Sequence, residues 1–278
     1  MSLAALIFDV DGTLADTEEA HRGAFNDAFA EAGLPWQWSR DHYAELLKTT
    51  GGKERIAAHV HALEGTAADH ERLKARIPEI HRLKTVAYTR RIREGAVALR
   101  PGVRRLLGEA RAAGLRLAIA STTSRENIDA LLTATLGSHA PRWFEVIEAG
   151  DAMARKKPAS DVYDAVLLRL GLAPDACVAF EDSGRGLAAA KGAALFTVVT
   201  PTTWTRDDNF AAADVVLASL GDPEAHLTGE DAELVGNPML RIADLERLHA
   251  SRDRDPAKVP LHLGRSTRAP ATDGASSK

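Results

Sequence analysis

Cysteine is nearly absent. The single Cys177 excludes an intramolecular disulfide framework and fits a reducing compartment. Excess charge is also lacking: 35 lysines and arginines against 39 aspartates and glutamates leave a formal net charge of −4. That balance carries no nucleic-acid-binding footprint. No apolar run approaches the length needed to cross a bilayer. Met-Ser leads directly into an apolar, strand-like segment, which leaves no room for a cleavable signal. The expectation is a soluble cytoplasmic monomer with neither nucleic-acid nor membrane partners. What the chain does have is bulk: 278 residues, 45% of them hydrophobic, enough to bury one large core or two modest ones.

Six short apolar runs read as strands, at 3–8, 115–120, 144–148, 177–180, 195–199 and 215–218. They are continuous rather than alternating, as strands covered on both faces should be. Helical patterns at 103–113, 124–135, 162–170 and 184–192 lie between them, with Gly114, Gly171 and Gly192 at expected helix ends. This alternation predicts an α/β fold, a doubly wound parallel sheet. The stretch 17–94 breaks the pattern: it is helical throughout, with amphipathic segments at 20–32, 41–48, 53–62 and 68–92 and a break near Pro78. The predicted organisation is a core of 1–16 and 95–248, a helical cap domain of 17–94, and a disordered tail over 249–278, rich in Pro, Arg, Ala and Ser. A cap inserted after the first strand is placed to cover the carboxyl ends of the strands, where open α/β sheets bind ligands.

Four features fall at those strand ends. The first strand delivers Asp9-Val-Asp11-Gly-Thr13, two carboxylates on a Gly-Thr turn. The second ends in Ser121-Thr122-Thr123-Ser124, hydroxyls and amides that open a helix and can cradle an anion. Lys156-Lys157-Pro158 follows the third, with Pro158 read as the first position of the next helix. The fourth delivers Glu181-Asp182. Each has an ordinary alternative: a capped helix start, a Ser/Thr N-cap, solvated lysines. Together they place four carboxylates in one crevice, which calls for a divalent cation with oxygen ligands such as Mg²⁺. Gly184-Arg185-Gly186, with Asp207 about twenty residues on, also matches a dinucleotide fingerprint. The acids immediately before it would repel a pyrophosphate, and it lies late in the chain.

The ordered set Asp9-x-Asp11-Gly-Thr13, Ser121, Lys157 before Pro158, and Glu181-Asp182 resembles the four motifs of the haloacid dehalogenase-like hydrolase superfamily, whose Rossmann-like core carries a helical C1 cap. The resemblance spans roughly residues 3–219. The run from Asp9 to Thr17 with His21, the cap run from Thr49 to Ile56 and the later Thr205-Arg206 are similar to its β-phosphoglucomutase and CbbY-type branch.

The resemblance implies a mechanism. Asp9 attacks phosphorus to form an aspartyl-phosphate, while Asp11 protonates the leaving sugar oxygen and then activates water. An initial acid role needs the Asp11 pKa raised, which neighbouring carboxylates would favour. Mg²⁺ is held by Asp9, the Asp11 carbonyl and Asp182, with Glu181 nearby. Ser121, Thr122 and Thr123 bind phosphoryl oxygens, and Lys157 stabilises charge on them. Asp11 argues for phosphate-ester chemistry over carbon–halogen or phosphonate cleavage, and retention of Asp9, Asp11, Lys157 and Asp182 argues against a pseudoenzyme.

In the cap, Gly51 and Gly52 allow a backbone close to ligand. Lys53 and Arg55 are candidates to grip a second phosphate, against the alternative of an exposed helix start. Lys84 sits where that branch has a cap lysine facing the core, and His21 is either an acid/base contact or a helix-surface residue. The implied substrate is xylulose 1,5-bisphosphate, an inhibitor of Rubisco. The alternative is a β-phosphoglucomutase-like mutase.

Overall fold

The computed structural model describes residues 2–150 and 153–251. Six strands, β1 (Ala5–Phe8), β2 (Arg116–Ala120), β3 (Phe144–Glu148), β4 (Cys177–Glu181), β5 (Phe196–Val199) and β6 (Val215–Val216), form one parallel sheet in the order β3-β2-β1-β4-β5-β6. The chain leaves β1 in one direction along the sheet and returns to fill the other. That reversal opens a crevice at the carboxyl ends of the central strands.

Side chains on a strand alternate between faces. Leu6 and Phe8 of β1, with Leu117 and Ile119 of β2, join one apolar cluster, against helices α6 (Val103–Ala112), α7 (Arg125–Leu136) and α11 (Ile242–Ser251). Ala5, Ile7, Ala118, Ala120 and Ala179 face the other way, where the four alanines let α8 (Asp161–Leu170) and α9 (Gly184–Gly192) pack closely.

Between β1 and α6 lie five helices: α1 (Glu18–Glu31), α2 (Arg40–Leu46), α3 (Gly52–Ala62), α4 (Ala67–Ala75) and α5 (Ile77–Arg93). They bury a cluster of their own, built on Phe25, Phe29, Trp38, Tyr43, Ile56, Val60, Ile80 and Leu83. Helix α1 serves both sides: Ala20 and Ala24 pack on the sheet cluster, Phe25 and Phe29 on the helical one. The break expected near Pro78 falls at Arg76, which ends α4 and starts α5, with Pro78 in the first turn where its missing N–H costs nothing.

Two boundaries differ from the sequence reading. Helix α8 begins at Asp161 rather than at Pro158, because Ser160 supplies the first carbonyl, accepting from Tyr163 and Asp164. Helix α11 runs through Ser251, past the expected core boundary at 248, because Ile242, Leu245 and Leu248 form a buried stripe on the sheet cluster. The rest of the expected tail, 252–278, lies outside the described residues. Helix α10 (Gly229–Val235) was also not anticipated from the sequence. Among the described residues no helix is long and apolar enough to cross a membrane.

Candidate active site

Strand register builds the base of the crevice. Phe8 of β1 pairs with Phe180 of β4, and the two rings stack at 4.6 Å. The next residues, Asp9 and Glu181, are therefore delivered side by side, and the Asp9 amide donates to the Phe180 carbonyl (3.0 Å). Asp182 comes one residue later. Carboxylate oxygens of Asp9, Glu181 and Asp182 all lie within 4.8 Å of one another, and all three residues are buried. The loop after Asp9 admits this crowding through Gly12, whose φ of +84° is left-handed and whose Cβ would collide with the Asp182 carboxylate.

Lys157 is buried among these acids rather than solvated. Its Nζ lies 2.7 Å from Asp9 Oδ1 and 2.5 Å from Glu181 Oε1, and Tyr163 Oη donates to the same Glu181 oxygen at 2.5 Å. Burial alone would lower the Lys157 pKa, but the Asp9 and Glu181 charges outweigh it and hold the ammonium well above its usual range. Asp9 moves the other way: burial, with the repulsion of Glu181 and Asp11, pushes it up to about 7 against the pull of Lys157. Asp182 is also raised, by burial and then by Asp9 and Glu181. Among the described residues its side chain accepts one long bond, 3.4 Å from Thr205 Oγ1. Three carboxylates therefore face one ammonium, and Asp182 is nearly without donors. This all-oxygen set fits a hard divalent cation, which would satisfy Asp182 and offset the surplus charge.

Asp11 departs from expectation. Its carboxylate turns away from the other acids toward α1, accepting from Thr17 Oγ1 (2.6 Å) and lying 3.0 Å from His21 Nε2. Burial would raise its pKa. The His21 contact, the Thr17 bond and the Lys84 charge overcome that and hold Asp11 below the usual carboxylate range. The expected rise from neighbouring carboxylates is thus corrected: the groups nearest the Asp11 carboxylate are donors.

His21 is buried, not on the helix surface, and stacks on Tyr88 at 4.1 Å. Lys84 Nζ lies 2.7 Å from its Nδ1, between the rings of Phe25 and Tyr88 (5.1 and 5.0 Å). An ammonium can only donate. Nδ1 is therefore the acceptor and Nε2 carries the proton that points at Asp11. Burial and the Lys84 charge lower the His21 pKa, in keeping with a neutral ring. Burial, with the Arg55 charge, brings Lys84 down to about 8.

The remaining sequence candidates line the same crevice, of about 690 Å³. Ser121 follows β2 and is buried, its Oγ accepting from the Thr123 amide (3.2 Å). Thr122 and Thr123 complete the rim ahead of the Ser124 N-cap. Opposite, Arg55 donates to the Thr49 carbonyl and to Tyr43 Oη, both at 3.0 Å, and Lys53 is exposed beside it. Gly51 and Gly52 do not leave open space for a ligand: their Cβ positions are taken by Glu54 and Lys156 and by His81.

The dinucleotide alternative finds its place filled. The amide of Gly184 donates to Asp208 Oδ2 (2.8 Å) and that of Gly186 to Ser183 Oγ (3.2 Å), so the helix start is capped by the chain's own groups. Sequence reasoning missed Thr17, Tyr43, Tyr163, Asn127, Arg185 and Trp204. Thr17 stood inside the first motif and Arg185 inside the dinucleotide-like run, but the others carry no local signal.

A family model of haloacid dehalogenase-like hydrolases matches residues 3–194. Protein CbbY of Rhodobacter capsulatus is 55% identical over 77% of this chain and 92% of its own length. The plasmid-borne protein CbbY of Cupriavidus necator is 52% identical over 89% and 96%. The crystal structure of CbbY from Rhodobacter sphaeroides in complex with phosphate superposes with a TM-score of 0.74 at 48% identity, covering 80% of this chain and 98% of that one. An aspartate-to-asparagine variant of the same protein, holding xylulose-(1,5)bisphosphate, superposes equally well. The chain belongs to the haloacid dehalogenase-like hydrolase family, among its CbbY-type members, and is a phosphatase of that family.

Proposed function

We propose that the chain is a Mg²⁺-dependent sugar-phosphate phosphatase that works through an aspartyl-phosphate on Asp9, with xylulose 1,5-bisphosphate as its leading substrate. One observation carries the reading. A single crevice holds a buried carboxylate–lysine base and, on its helical side, a second set of cations, Arg55 and Lys53. That arrangement suits a small molecule with phosphate at both ends. The ligand named for the Rhodobacter sphaeroides variant supports it. The helical stretch 17–94 acts as the cap, and the enzyme works as a cytoplasmic monomer.

Asp9 supplies the attacking oxygen and Lys157 neutralises charge on the phosphoryl group as it transfers. Ser121, Thr122 and Thr123 hold the phosphoryl oxygens. Mg²⁺ bound by Asp9, Asp182 and the Asp11 carbonyl, with Glu181 nearby, would screen the phosphate and keep Asp9 ionised. Asp11 handles protons, but its ionised state requires a supply. As the sugar oxygen leaves, the proton on His21 Nε2 passes through the ionised Asp11 carboxylate to that oxygen, while His21 takes a proton at Nδ1 from Lys84. When water attacks the aspartyl-phosphate, its proton returns along the same line, and Lys84 ends protonated again.

This relay sets a pH dependence. Lys84 carries its proton below about 8 and loses it above. Turnover is therefore expected to fall on the alkaline side with an apparent pKa near 8, and a Lys84→Met variant should be slower and lack that limb. An unchanged limb in the variant would remove Lys84 from the relay. Stability runs the opposite way. Because folding lowers the Lys84 pKa, the unfolded chain binds the extra proton from about 8 up to the usual lysine range. This group's contribution therefore rises with pH through that window.

Phosphate release across xylulose 1,5-bisphosphate, ribulose 1,5-bisphosphate, fructose 1,6-bisphosphate and β-glucose 1-phosphate, with Mg²⁺ and again with EDTA, tests the whole reading. Selective, EDTA-sensitive release from the first is expected. Conversion of β-glucose 1-phosphate to glucose 6-phosphate with little phosphate release would make the enzyme a mutase instead. Arg55→Ala should raise KM for a bisphosphate about tenfold or more, consistent with loss of a charged hydrogen bond, and affect a monophosphate much less. Equal loss for both would remove the distal-phosphate role.

A further inference from the structure

The turn that carries the distal cations touches the core at two points. Lys156 Nζ pairs with Glu54 Oε1 at 2.7 Å, and Arg185 Nη1 donates to Thr50 Oγ1 at 2.8 Å. Both partners of the ion pair are chain neighbours of a site group. Lys156 precedes Lys157, whose ammonium sits on Asp9, and Glu54 precedes Arg55; Arg185 follows Asp182 by three residues. Gly51 makes room for the first contact: its φ is +100°, and a Cβ there would run into the Glu54 carboxylate and come within 2.7 Å of Lys156 Nζ. A glycine that admits an ion pair between two segments, each carrying a phosphate-binding cation on the next residue, is a spacing device.

We propose that Lys156 and Glu54 are positioning residues that fix the separation between the reacting-phosphate end at Lys157 and the distal-phosphate end at Arg55, with Arg185–Thr50 as a second support. The pair thereby selects the length of the bisphosphate. This rests on the bisphosphate reading above only for the identity of the ligand; the contact between the two segments stands apart from it. The pair is partly exposed, 21% at Lys156 and 44% at Glu54. Such a pair shifts an equilibrium by up to about fivefold, the equivalent of about 1 kcal/mol. A closing cap needs no more, because the effect appears in how well one molecule reaches both ends at once.

Lys156→Met and Glu54→Gln are each expected to raise KM for xylulose 1,5-bisphosphate by about three- to fivefold, to change kcat less, and to leave KM for p-nitrophenyl phosphate little affected. Because the two act through one contact, the double variant should be no worse than either single, and Lys156→Arg should retain the wild-type KM. Additive losses, or equal losses on the monoester, overturn the spacer. Amide hydrogen exchange without substrate separates this claim from the substrate assignment. Exchange over residues 49–55 should quicken in both single variants and no further in the double. Unchanged exchange overturns the spacer whatever the enzyme hydrolyses. The expected exchange in a protein that ignores every bisphosphate supports the contact and overturns the substrate reading.

Discussion

Asn at position 9 is expected to lower turnover by at least about ten-thousandfold while leaving the protein folded. Asparagine has nearly the shape of aspartate, and its carbonyl oxygen can keep the contact that Asp9 Oδ1 makes with Lys157 Nζ. Its amide can then donate toward the Glu181 and Asp182 carboxylates, which lie within the same 4.8 Å cluster. The substitution also removes one of three crowded negative charges. The thermal midpoint of the metal-free variant should therefore match or exceed that of the wild type. What the amide cannot do is form a stable acyl-phosphate, so the loss falls on chemistry. A steady-state assay with Mg²⁺ and a melting curve check both halves. Wild-type-like activity in Asp9→Asn would remove Asp9 as nucleophile. Lost activity accompanied by a collapsed fold would leave that role unsupported and make Asp9 a structural residue.

Asp11→Asn is expected to give a different signature. Loss of a group that moves protons costs about a hundred- to ten-thousandfold, and both halves of the reaction need it. The leaving group can be changed to separate them. A sugar alkoxide must be protonated as it departs, whereas p-nitrophenolate leaves without help. With p-nitrophenyl phosphate the variant should therefore form the aspartyl-phosphate quickly and then stall, because no base takes the proton from water. The observable is a burst of p-nitrophenolate close to one equivalent per enzyme, followed by slow turnover. The geometry favours this outcome: Asp11 Oδ1 takes donors from Thr17 and His21 and, among the described residues, no bond from the Asp9 side, so its loss leaves the nucleophile's partners in place. A variant that turns over p-nitrophenyl phosphate at the wild-type rate, with no burst, would contradict the role given to Asp11.

Much of this was legible in the chain, for identifiable reasons. All six strands were visible because parallel strands buried on both faces are short continuous apolar runs, and those around Phe8 and Phe180 end abruptly in acids. The positions of Asp9, Ser121, Lys157, Glu181 and Asp182 followed, since a parallel sheet puts every strand end on one side. What one dimension hides is orientation. Asp9 and Asp11 read as a matched pair, yet the first faces Lys157 and the second faces His21, because the turn at Gly12 divides them. Tyr43 and Trp204 were invisible as site residues. They are separated by more than 150 positions, and their edge-to-face contact at 5.7 Å exists only once the helices lie over the sheet. Gly51 and Gly52 were read as room for a ligand, but the chain fills that room with Glu54, Lys156 and His81, of which only Glu54 lies close to both in sequence. Helix α11 escaped notice because Arg and Asp residues crowd the sequence beyond Leu248, although Ile242, Leu245 and Leu248 carry a three-residue apolar spacing.

The account turns on where the phosphoryl group goes. The Asp11→Asn variant, mixed with radiolabelled p-nitrophenyl phosphate and Mg²⁺, quenched in acid within one turnover and mapped by peptide mass analysis, answers that directly. The expected result is one phosphoryl group per chain on the peptide containing Asp9, absent from the Asp9→Asn/Asp11→Asn double variant. Phosphate released with no label on the chain at any time, or label on a residue other than Asp9, would contradict covalent transfer to Asp9.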